Sequence, residues 1–221
     1  MPVVTVAEAA AIERRVAEFE ARTGVEIVAA VETRSDLYPE VPWRAFALGA
    51  SLAASAALVG IALFRGWTTP GALLAQAAGI FGAGALAALL AVVVPGVGRL
   101  LAGSSRMRQE VRQRAEVVFL QRELFATPGR NAILVLVSRF EHLVVVVADA
   151  AYRDRVSNEE WRPVVERMTP PLARGQLVQA FAVGFDAIEE LLAAKGLAGS
   201  PAGRFLPDDL VQGPPPLESR E

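Results

Sequence analysis

Cysteine is absent from this chain of 221 residues, and histidine occurs once, as His142. These absences exclude disulfides, thiolate metal sites and clusters of imidazole ligands. The sequence also lacks an Asp-x-Asp pair and a glycine-rich phosphate loop, so it offers no ready centre for phosphate-ester hydrolysis. The formal net charge of −2 gives no electrostatic reason to expect a nucleic-acid partner.

Two long apolar runs, over residues 43–64 and 71–94, dominate the sequence, and neither carries a charged residue after Arg44. A helix needs about 20 apolar residues to cross a hydrocarbon core of ~30 Å, and both runs are long enough. The polar turn between them, 65–70, is too short to hold a domain, so we expect a two-helix transmembrane hairpin. The alternative is two buried helices of a soluble protein, where apolar runs of this length are rare.

Outside the hairpin, the residues are charged and periodic, as in a soluble domain. Capping boxes begin two amphipathic helices, one at Thr5 with Glu8 and one at Ser157 with Glu160. Periodicity and turn residues predict a helix over 5–24, a strand over 25–33, a helix over 104–125, strands over 131–138 and 143–148, and helices over 157–171 and 175–195. Three strands fit one small mixed β-sheet with helices on both faces. The predicted fold class is α/β, an α/β/α sandwich interrupted by the transmembrane hairpin.

The order of these elements divides the chain into four parts. Residues 1–42 and 95–196 are the two parts of one α/β domain, and residues 43–94 are the hairpin inserted between them. Because the domain must close around this insertion, we expect both ends of the hairpin on the same side of the membrane. Residues 197–221 are rich in glycine, proline and charge, which predicts a disordered tail.

Basic residues set the expected orientation, because an excess of Lys and Arg in short loops marks the cytoplasmic side. The turn between the runs holds Arg65, whereas the flanks hold Arg34, Arg44, Arg99, Arg106, Arg108, Arg112 and Arg114. We therefore expect a multi-pass protein of the cytoplasmic (inner) membrane whose soluble domain faces the cytoplasm. The four arginines over 106–114 can also bind anionic headgroups, each contributing on the order of 1 kcal/mol near the surface.

Small residues repeat at four-residue spacing in the second apolar run, at Ala75, Gly79, Ala83 and Ala87. Such a stripe lets two helices approach closely, so it predicts contact between the two spans or between two molecules. Neither run contains an ionisable residue at membrane depth, which argues against a transporter or a proton relay. The expected partners are the lipid bilayer and either a membrane protein or a second copy of this chain.

Two stretches of the soluble part resemble a known family. Residues 23–28 (Thr-Gly-Val-Glu-Ile-Val), after an amphipathic helix, resemble the opening of the TPM domain, and residues 137–149 resemble its central strand pair. Arg155, Asn158 and Trp161 continue the pattern. The chain is similar to the bacterial membrane-protein branch, in which a hydrophobic hairpin lies between the two halves of the domain. This resemblance implies an α/β/α sandwich, in a family whose members are described as phosphatase-like, as binders of divalent cations, or as accessory factors of membrane complexes.

Three carboxylates are the candidate metal ligands: Glu26, Asp149 and Glu159. Asp149 follows the carboxyl end of a buried strand, where ligands of open α/β sheets often bind, and carboxylates there can hold calcium or magnesium. The alternative is structural: Asp149 caps a turn, Glu141 lies in a solvated strand turn, and Glu159 lies in a helix first turn, where negative charge is favoured. Asn158 stands where many TPM domains have an acidic residue, which weakens a cation site that uses this position.

Two other residues have both a structural and a functional interpretation. We expect His142 in a surface turn between strands, against a catalytic or metal-binding role. We expect Trp161 to pack in the core or at its rim, against a role as a stacking surface for a ligand.

Two functions from different classes follow. The first is a membrane-anchored TPM-like domain that acts as an interaction or accessory module at the cytoplasmic membrane surface. The second is a divalent-metal-assisted hydrolase of phosphatase type, which needs several carboxylates to converge in one concave site. The positions of Glu26, Asp149 and Glu159 in the fold bear on this choice.

Overall fold

A computed structural model of the chain describes residues 4–36, 38–64, 69–127, 129–197 and 208–213. The chain divides into two compact units. The first joins Met1–Asp36 to Arg108–Glu221 and contains the strands of the described residues. The second, Leu37–Met107, is helical and extends beyond the predicted hairpin at both ends.

Eight α-helices and four strands make up the described part of the chain. In order they are α1 (Val6–Thr23), β1 (Ile27–Glu32), α2 (Glu40–Phe64), α3 (Pro70–Val93), α4 (Pro95–Ala102), α5 (Ser104–Gln121), a 3₁₀ turn (Leu124–Ala126), β2 (Ile133–Ser138), β3 (Leu143–Ala148), α6 (Ala150–Arg153), α7 (Asn158–Ala173), α8 (Leu177–Ala194) and β4 (Val211–Gln212). Each predicted helix and strand is present. The sequence patterns do not predict α4, α6 and β4.

The first helix forms as its capping residues predict. The side chain of Thr5 accepts a hydrogen bond from the N–H of Glu8 at 3.2 Å, and the Glu8 carboxylate accepts one from the N–H of Thr5 at 2.9 Å. Gly24 ends the helix with φ 65°, a conformation that glycine adopts without a steric cost. The chain then turns directly into β1.

The four strands form one mixed sheet in the order β3-β2-β1-β4. β1 pairs with β2 in parallel, from Ile27 opposite Ile133 to Glu32 opposite Ser138, and β2 pairs with β3 in antiparallel. The α/β class and the small mixed sheet are therefore confirmed. The parallel pairing of β1 with β2 requires a crossover, and the helical unit lies within it.

Apolar side chains of β1 and β2 are buried on both faces of the sheet. On one face, residues such as Ile27 and Val135 share a hydrophobic cluster with α1, α7 and α8. On the other face, Val28 and Leu134 share a second cluster with α5. This two-sided burial explains why the strands are nearly continuous apolar runs without polar alternation.

A short strand lies within the stretch predicted to be a disordered tail. β4 pairs in parallel with β1, and the N–H of Gly213 donates to the carbonyl of Val31 at 3.0 Å. Leu210 and Val211 are buried. The prediction failed here because composition describes the whole tail, whereas two apolar residues suffice to add a short strand to an open edge. The rest of the predicted tail, 198–207 and 214–221, lies outside the described residues.

Two predicted helix ends also differ from the structure, and one further helix is present. α7 continues past Pro170 and Pro171 to Ala173, because Pro171 and Leu172 are buried in the core and the N–H of Arg174 closes the last turn on the two proline carbonyls. α5 ends at Gln121, four residues before its predicted end, and a 3₁₀ turn follows. The residues between the predicted strand 143–148 and the predicted helix 157–171 contain α6.

In the second unit, α2 and α3 pack against each other through small residues. A Cβ added to Gly49 would lie 2.7 Å from the Cβ of Ala87 and 2.8 Å from the carbonyl oxygen of Ala83, so only glycine fits there. Ala83 and Ala87 of the predicted stripe therefore lie at this contact, whereas a Cβ on Gly79 would meet nothing within 4 Å. Both helices are long and apolar enough to cross a membrane. The turn residues 65–68 lie outside the described residues.

Candidate functional site

A groove of about 1000 Å³ lies beside β3 in the first unit. β3 lines it from Val146 onwards, as does Asp149, which follows the strand. Helix α5 contributes Phe119 and Leu120, and the segment from α6 to α7 contributes side chains including Trp161. Because α5 and α7 cover opposite faces of the sheet, the groove lies between them along the sheet edge.

The backbone of β3 presents unused hydrogen-bonding groups to this groove. The N–H of Asp149 donates to the carbonyl of Ala132 on the β2 side at 3.0 Å, which marks a hydrogen-bonded pair of the ladder. Bonded and non-bonded pairs alternate in an antiparallel ladder, so Val147 also bonds to β2. The N–H and C=O groups of Val146 and Ala148 point away from β2. Within the described residues, β3 has no partner strand on that side.

Asp149, at the end of β3, is held by a counter-ion. Only 2% of its side chain is exposed, and Arg130 donates two hydrogen bonds to its carboxylate, from Nε at 2.8 Å and from Nη2 at 2.7 Å. The N–H of Ala150 donates a third at 2.7 Å, as the first residue of α6. Burial raises the pKa of Asp149, but these hydrogen bonds outweigh burial and hold the pKa below its usual value. Asp149 therefore caps α6, as the structural alternative predicts.

The other charges of the groove leave it net positive. Three arginines and two carboxylates line it: Arg112, Arg130, Arg153, Glu116 and Asp149. Arg112 pairs with Glu116 along α5 at 3.1 Å. Arg153 is exposed, and among the described residues it forms no salt bridge or side-chain hydrogen bond, although its charge contributes to the lowered pKa of Asp149. One cation in the groove is therefore available to an acidic ligand.

Two aromatic residues shape the α7 side of the groove. Trp161 is 9% exposed and belongs to the hydrophobic cluster, so the prediction that it packs at the core is confirmed. Tyr152 is 2% exposed, and its hydroxyl donates to the carbonyl of Asn131 at 3.2 Å. Burial raises the pKa of Tyr152 to about 12, so this hydroxyl stays protonated and serves as a structural donor.

The three carboxylates predicted as metal ligands have different surroundings. Asp149 is bound by Arg130, Glu159 is exposed at the start of α7 and lies 3.7 Å from Arg162, and Glu26 is buried just before β1. Asp149 lines the groove, and the other two do not. In the part of the chain that is described, no three acidic or histidine side chains are grouped so as to hold a metal ion.

Glu26 instead belongs to an acidic cluster at the side of the sheet near β4. The pKa of Glu20 is raised to about 7, chiefly by burial. The N–H of Ile27, which donates to Glu20 at 3.0 Å, opposes this rise, and the nearby carboxylates of Glu26 and Asp208 add to it. Glu20 and Asp208 also share a side-chain hydrogen bond. Two carboxyl groups can do so only with one proton between them. This contact ties the segment before β4 to α1.

A buried ion pair lies beside β4. Nε of Arg114 lies 2.7 Å from the carboxylate of Glu32, whose side chain is 3% exposed. Burial raises the pKa of Glu32, and the hydrogen bond from Arg114 opposes that rise. A Cβ on Gly213 would overlap the Glu32 carboxylate, so a larger residue here requires that carboxylate or the chain to shift. Arg106 and Arg112 also pair with carboxylates of this chain, Arg106 with Glu40 and Arg112 with Glu116.

The turn between β2 and β3 contains His142, which is half-buried with φ 53°, as expected for a turn residue. Glu141 in the same turn is 5% exposed, so the expectation that it is solvated is wrong. Its carboxylate accepts a hydrogen bond from the N–H of Ser35 at 2.9 Å and another from the hydroxyl of Ser138. Glu141 thus fastens the residues after β1 to the β2–β3 turn.

No family model and no curated protein matches this chain. Its fold resembles the NMR structure of the BA42 protein from the psychrophilic bacterium Bizionia argentinensis, with a TM-score of 0.56 and 16% identity over 95% of each chain. An identity this low shows a shared fold and nothing about activity. The resemblance to the TPM domain stays a prediction.

Proposed function

We propose that the chain is a membrane-anchored, TPM-like interaction module that binds a partner through the groove beside β3. In this proposal α2 and α3 cross the cytoplasmic membrane as a hairpin, and the α/β unit works on the cytoplasmic side. The observation that carries it is the groove, which combines unused backbone groups of a sheet edge with apolar walls and an available arginine.

The chemistry of the groove favours binding over hydrolysis. Its buried carboxylate, Asp149, already binds the guanidinium of Arg130 and a backbone N–H. Tyr152 is committed to a structural hydrogen bond. A metal-assisted phosphatase needs converging carboxylates, whereas Asp149 is the one predicted ligand that lines the groove. No observation favours that alternative.

The surfaces of α2 and α3 support the anchor. Large apolar side chains are well exposed along both helices, with Leu52 at 71%, Leu74 at 73% and Phe81 at 66%. A contiguous apolar surface of this extent is unfavourable in water and is solvated by lipid. The excess of arginine outside the turn supports the cytoplasmic orientation. The two hydrophobic clusters on opposite faces of the sheet support the α/β/α layering.

The absence of cysteine makes the orientation directly testable, because any introduced cysteine is unique. In intact cells, we expect a membrane-impermeant maleimide to label Trp67→Cys in the turn and to leave Glu159→Cys unlabelled until the membrane is permeabilised. The full chain should remain in the pellet after alkaline carbonate extraction. Release by carbonate, or labelling with the opposite sidedness, contradicts the proposed anchor.

Binding through the groove is tested by photo-crosslinking from single cysteines on α7. Asn158 lines the groove and is exposed, whereas Glu166 is exposed on the same helix and does not line it. With a photoreactive maleimide on membranes of cells making the full chain, Asn158→Cys should give a discrete adduct and Glu166→Cys should not. Equal adducts from both positions, or none from Asn158→Cys, contradict the groove as the binding site.

A further inference from the structure

We propose that the ligand of the groove is an extended peptide segment that adds to β3 as a further strand and carries an acidic residue for Arg153. This inference rests on the proposed binding function of the groove and specifies the chemistry of the partner. The partner segment supplies backbone N–H and C=O groups in register with those of β3, and a carboxylate near the carboxyl end of that strand.

β3 itself carries none of the strand features that protect an exposed sheet edge. Natural edges are shortened, bulged, or carry lysine or proline, because unpaired backbone groups otherwise recruit other strands. β3 is six residues long, has the sequence Leu-Val-Val-Val-Val-Ala, and pairs with β2 in continuous register. The other edge strand, β4, is two residues long. The unprotected edge is also the one that lies in a groove.

The groove fits a single extended segment. The outward backbone groups of Val146 and Ala148 recur every second residue, the spacing at which an added strand makes its ladder bonds. Side chains of an added strand point alternately to the two faces of the sheet. One set meets Phe119 and Leu120 of α5, and the other meets Trp161 of α7. Apolar or β-branched residues on the partner suit both walls.

The charge of the groove selects an acidic partner. Arg130 and Arg112 bind carboxylates of this chain, so Arg153 is the cation left for a ligand. A second copy of this chain fits less well, because pairing β3 with β3 brings α5 and α7 of the second copy against the same helices of the first. It would also place apolar residues opposite one another with no acidic group for Arg153, since β3 itself carries no charge.

The test uses the full chain in detergent micelles and a fluorescent peptide of alternating valine and threonine ending in two glutamates. We expect saturable binding, measured by fluorescence anisotropy. The same peptide methylated on alternate backbone nitrogens should bind at least about tenfold more weakly, because the ladder bonds cannot form. Val146→Pro should weaken binding similarly, because proline removes an N–H that points into the groove. The methylated peptide tests the same backbone hydrogen bonds on the unmodified protein, so its result does not depend on whether Val146→Pro folds.

Arg153→Gln has a matched control in Arg155→Gln, since both arginines are exposed and only Arg153 lines the groove. We expect about tenfold weaker binding for Arg153→Gln and less than about a twofold change for Arg155→Gln. Absence of saturable binding, equal affinity of the methylated peptide, or a dimer of the full chain that Val146→Pro dissociates overturns the proposal. If the peptide fails while Asn158→Cys still crosslinks a partner, the added strand is wrong and the proposed function stands.

Discussion

At one edge of the sheet lies β4, and at the other lies β3. β4 is two residues long, and the segment around it is fastened by the Glu20–Asp208 contact, by a hydrogen bond from Leu210 N–H to Glu13 at 3.2 Å, and by the close approach of Gly213 to Glu32. β3 is six residues long, apolar throughout, and faces a groove. Within the described residues, the chain therefore covers one edge of the sheet with its own residues and leaves β3 without a partner strand, and this second edge is where we propose that the partner binds.

The largest loss of stability is expected for a substitution next to the carboxyl end of β3. Arg130→Gln leaves the buried carboxylate of Asp149 without its counter-ion, and breaking such a pair costs about 3–5 kcal/mol when both partners are buried. Because Arg130 is 51% exposed, we expect the free energy of unfolding at pH 7 to fall by clearly less than the loss of a fully buried pair would cause. Denaturant unfolding of the full chain in detergent measures it.

The pH dependence identifies the cause of that loss. The folded pKa of Asp149 is depressed, so its contribution to stability is present above the unfolded pKa of about 4 and disappears as the pH falls through the folded value. The difference between the wild type and Arg130→Gln should therefore shrink below about pH 4. Arg155→Gln, at an exposed arginine that does not act on Asp149, is the control and should change stability by less than about 0.5 kcal/mol. A pH-independent difference would assign the loss to packing.

A substitution at Gly213 tests how the β4 edge of the sheet is held in place. In Gly213→Ala, the new Cβ overlaps the Glu32 carboxylate, so β4 must shift or the Glu32–Arg114 pair must move. We expect a loss of about 1–2 kcal/mol and faster amide exchange at Val211 and Gly213. Gly129, which also lies in the first unit, has looser surroundings, with its nearest contact at 3.3 Å, and Gly129→Ala serves as the control. Unchanged exchange at β4 would show that this edge is not fastened by Gly213.

A smaller change in stability is expected in the acidic cluster that contains Glu20 and Asp208. The folded pKa of Glu20, about 7, is above its unfolded value, so the folded state holds a proton that the unfolded chain releases. Its stabilising contribution is full below about pH 4 and is lost as the pH rises through about 7. Glu20→Gln keeps the hydrogen bonds without the charge, and should raise the free energy of unfolding by about 1 kcal/mol at pH 8 and little at pH 4. An equal effect at both pH values contradicts the raised pKa.

Much of the fold could be predicted from local patterns. The capping box at Thr5, the glycine stop at Gly24 and the two β-branched runs after Gly129 each depend on neighbouring residues, and each element is present. β4 could not be predicted, because its two residues gain stability from pairing with β1, about 180 residues earlier in the sequence. The contact between Glu20 and Asp208 could not be predicted for the same reason, because the two residues are far apart in the sequence.

The candidate site could be predicted only in part. Asp149 is recognisable as a polar residue at the end of an apolar strand. Arg130 was not predicted to be the counter-ion of Asp149, although the short connection between β2 and β3 fixes the pairing register from which this follows. A hairpin that pairs Ser138 with Leu143 places Ala132 opposite Asp149, and so brings Arg130 next to that carboxylate. Applying this register to the sequence would have favoured an ion pair over a metal site.

Residue-resolved amide exchange along β3 in the full chain, without added ligand, tests the central claim most directly. The N–H groups of Val145 and Val147 bond to β2, whereas those of Val146 and Ala148 point into the groove. We expect alternation along the strand, with the groove-facing amides exchanging at least about tenfold faster. Uniform slow exchange across β3 would show that this edge is already paired, and would contradict an available binding edge.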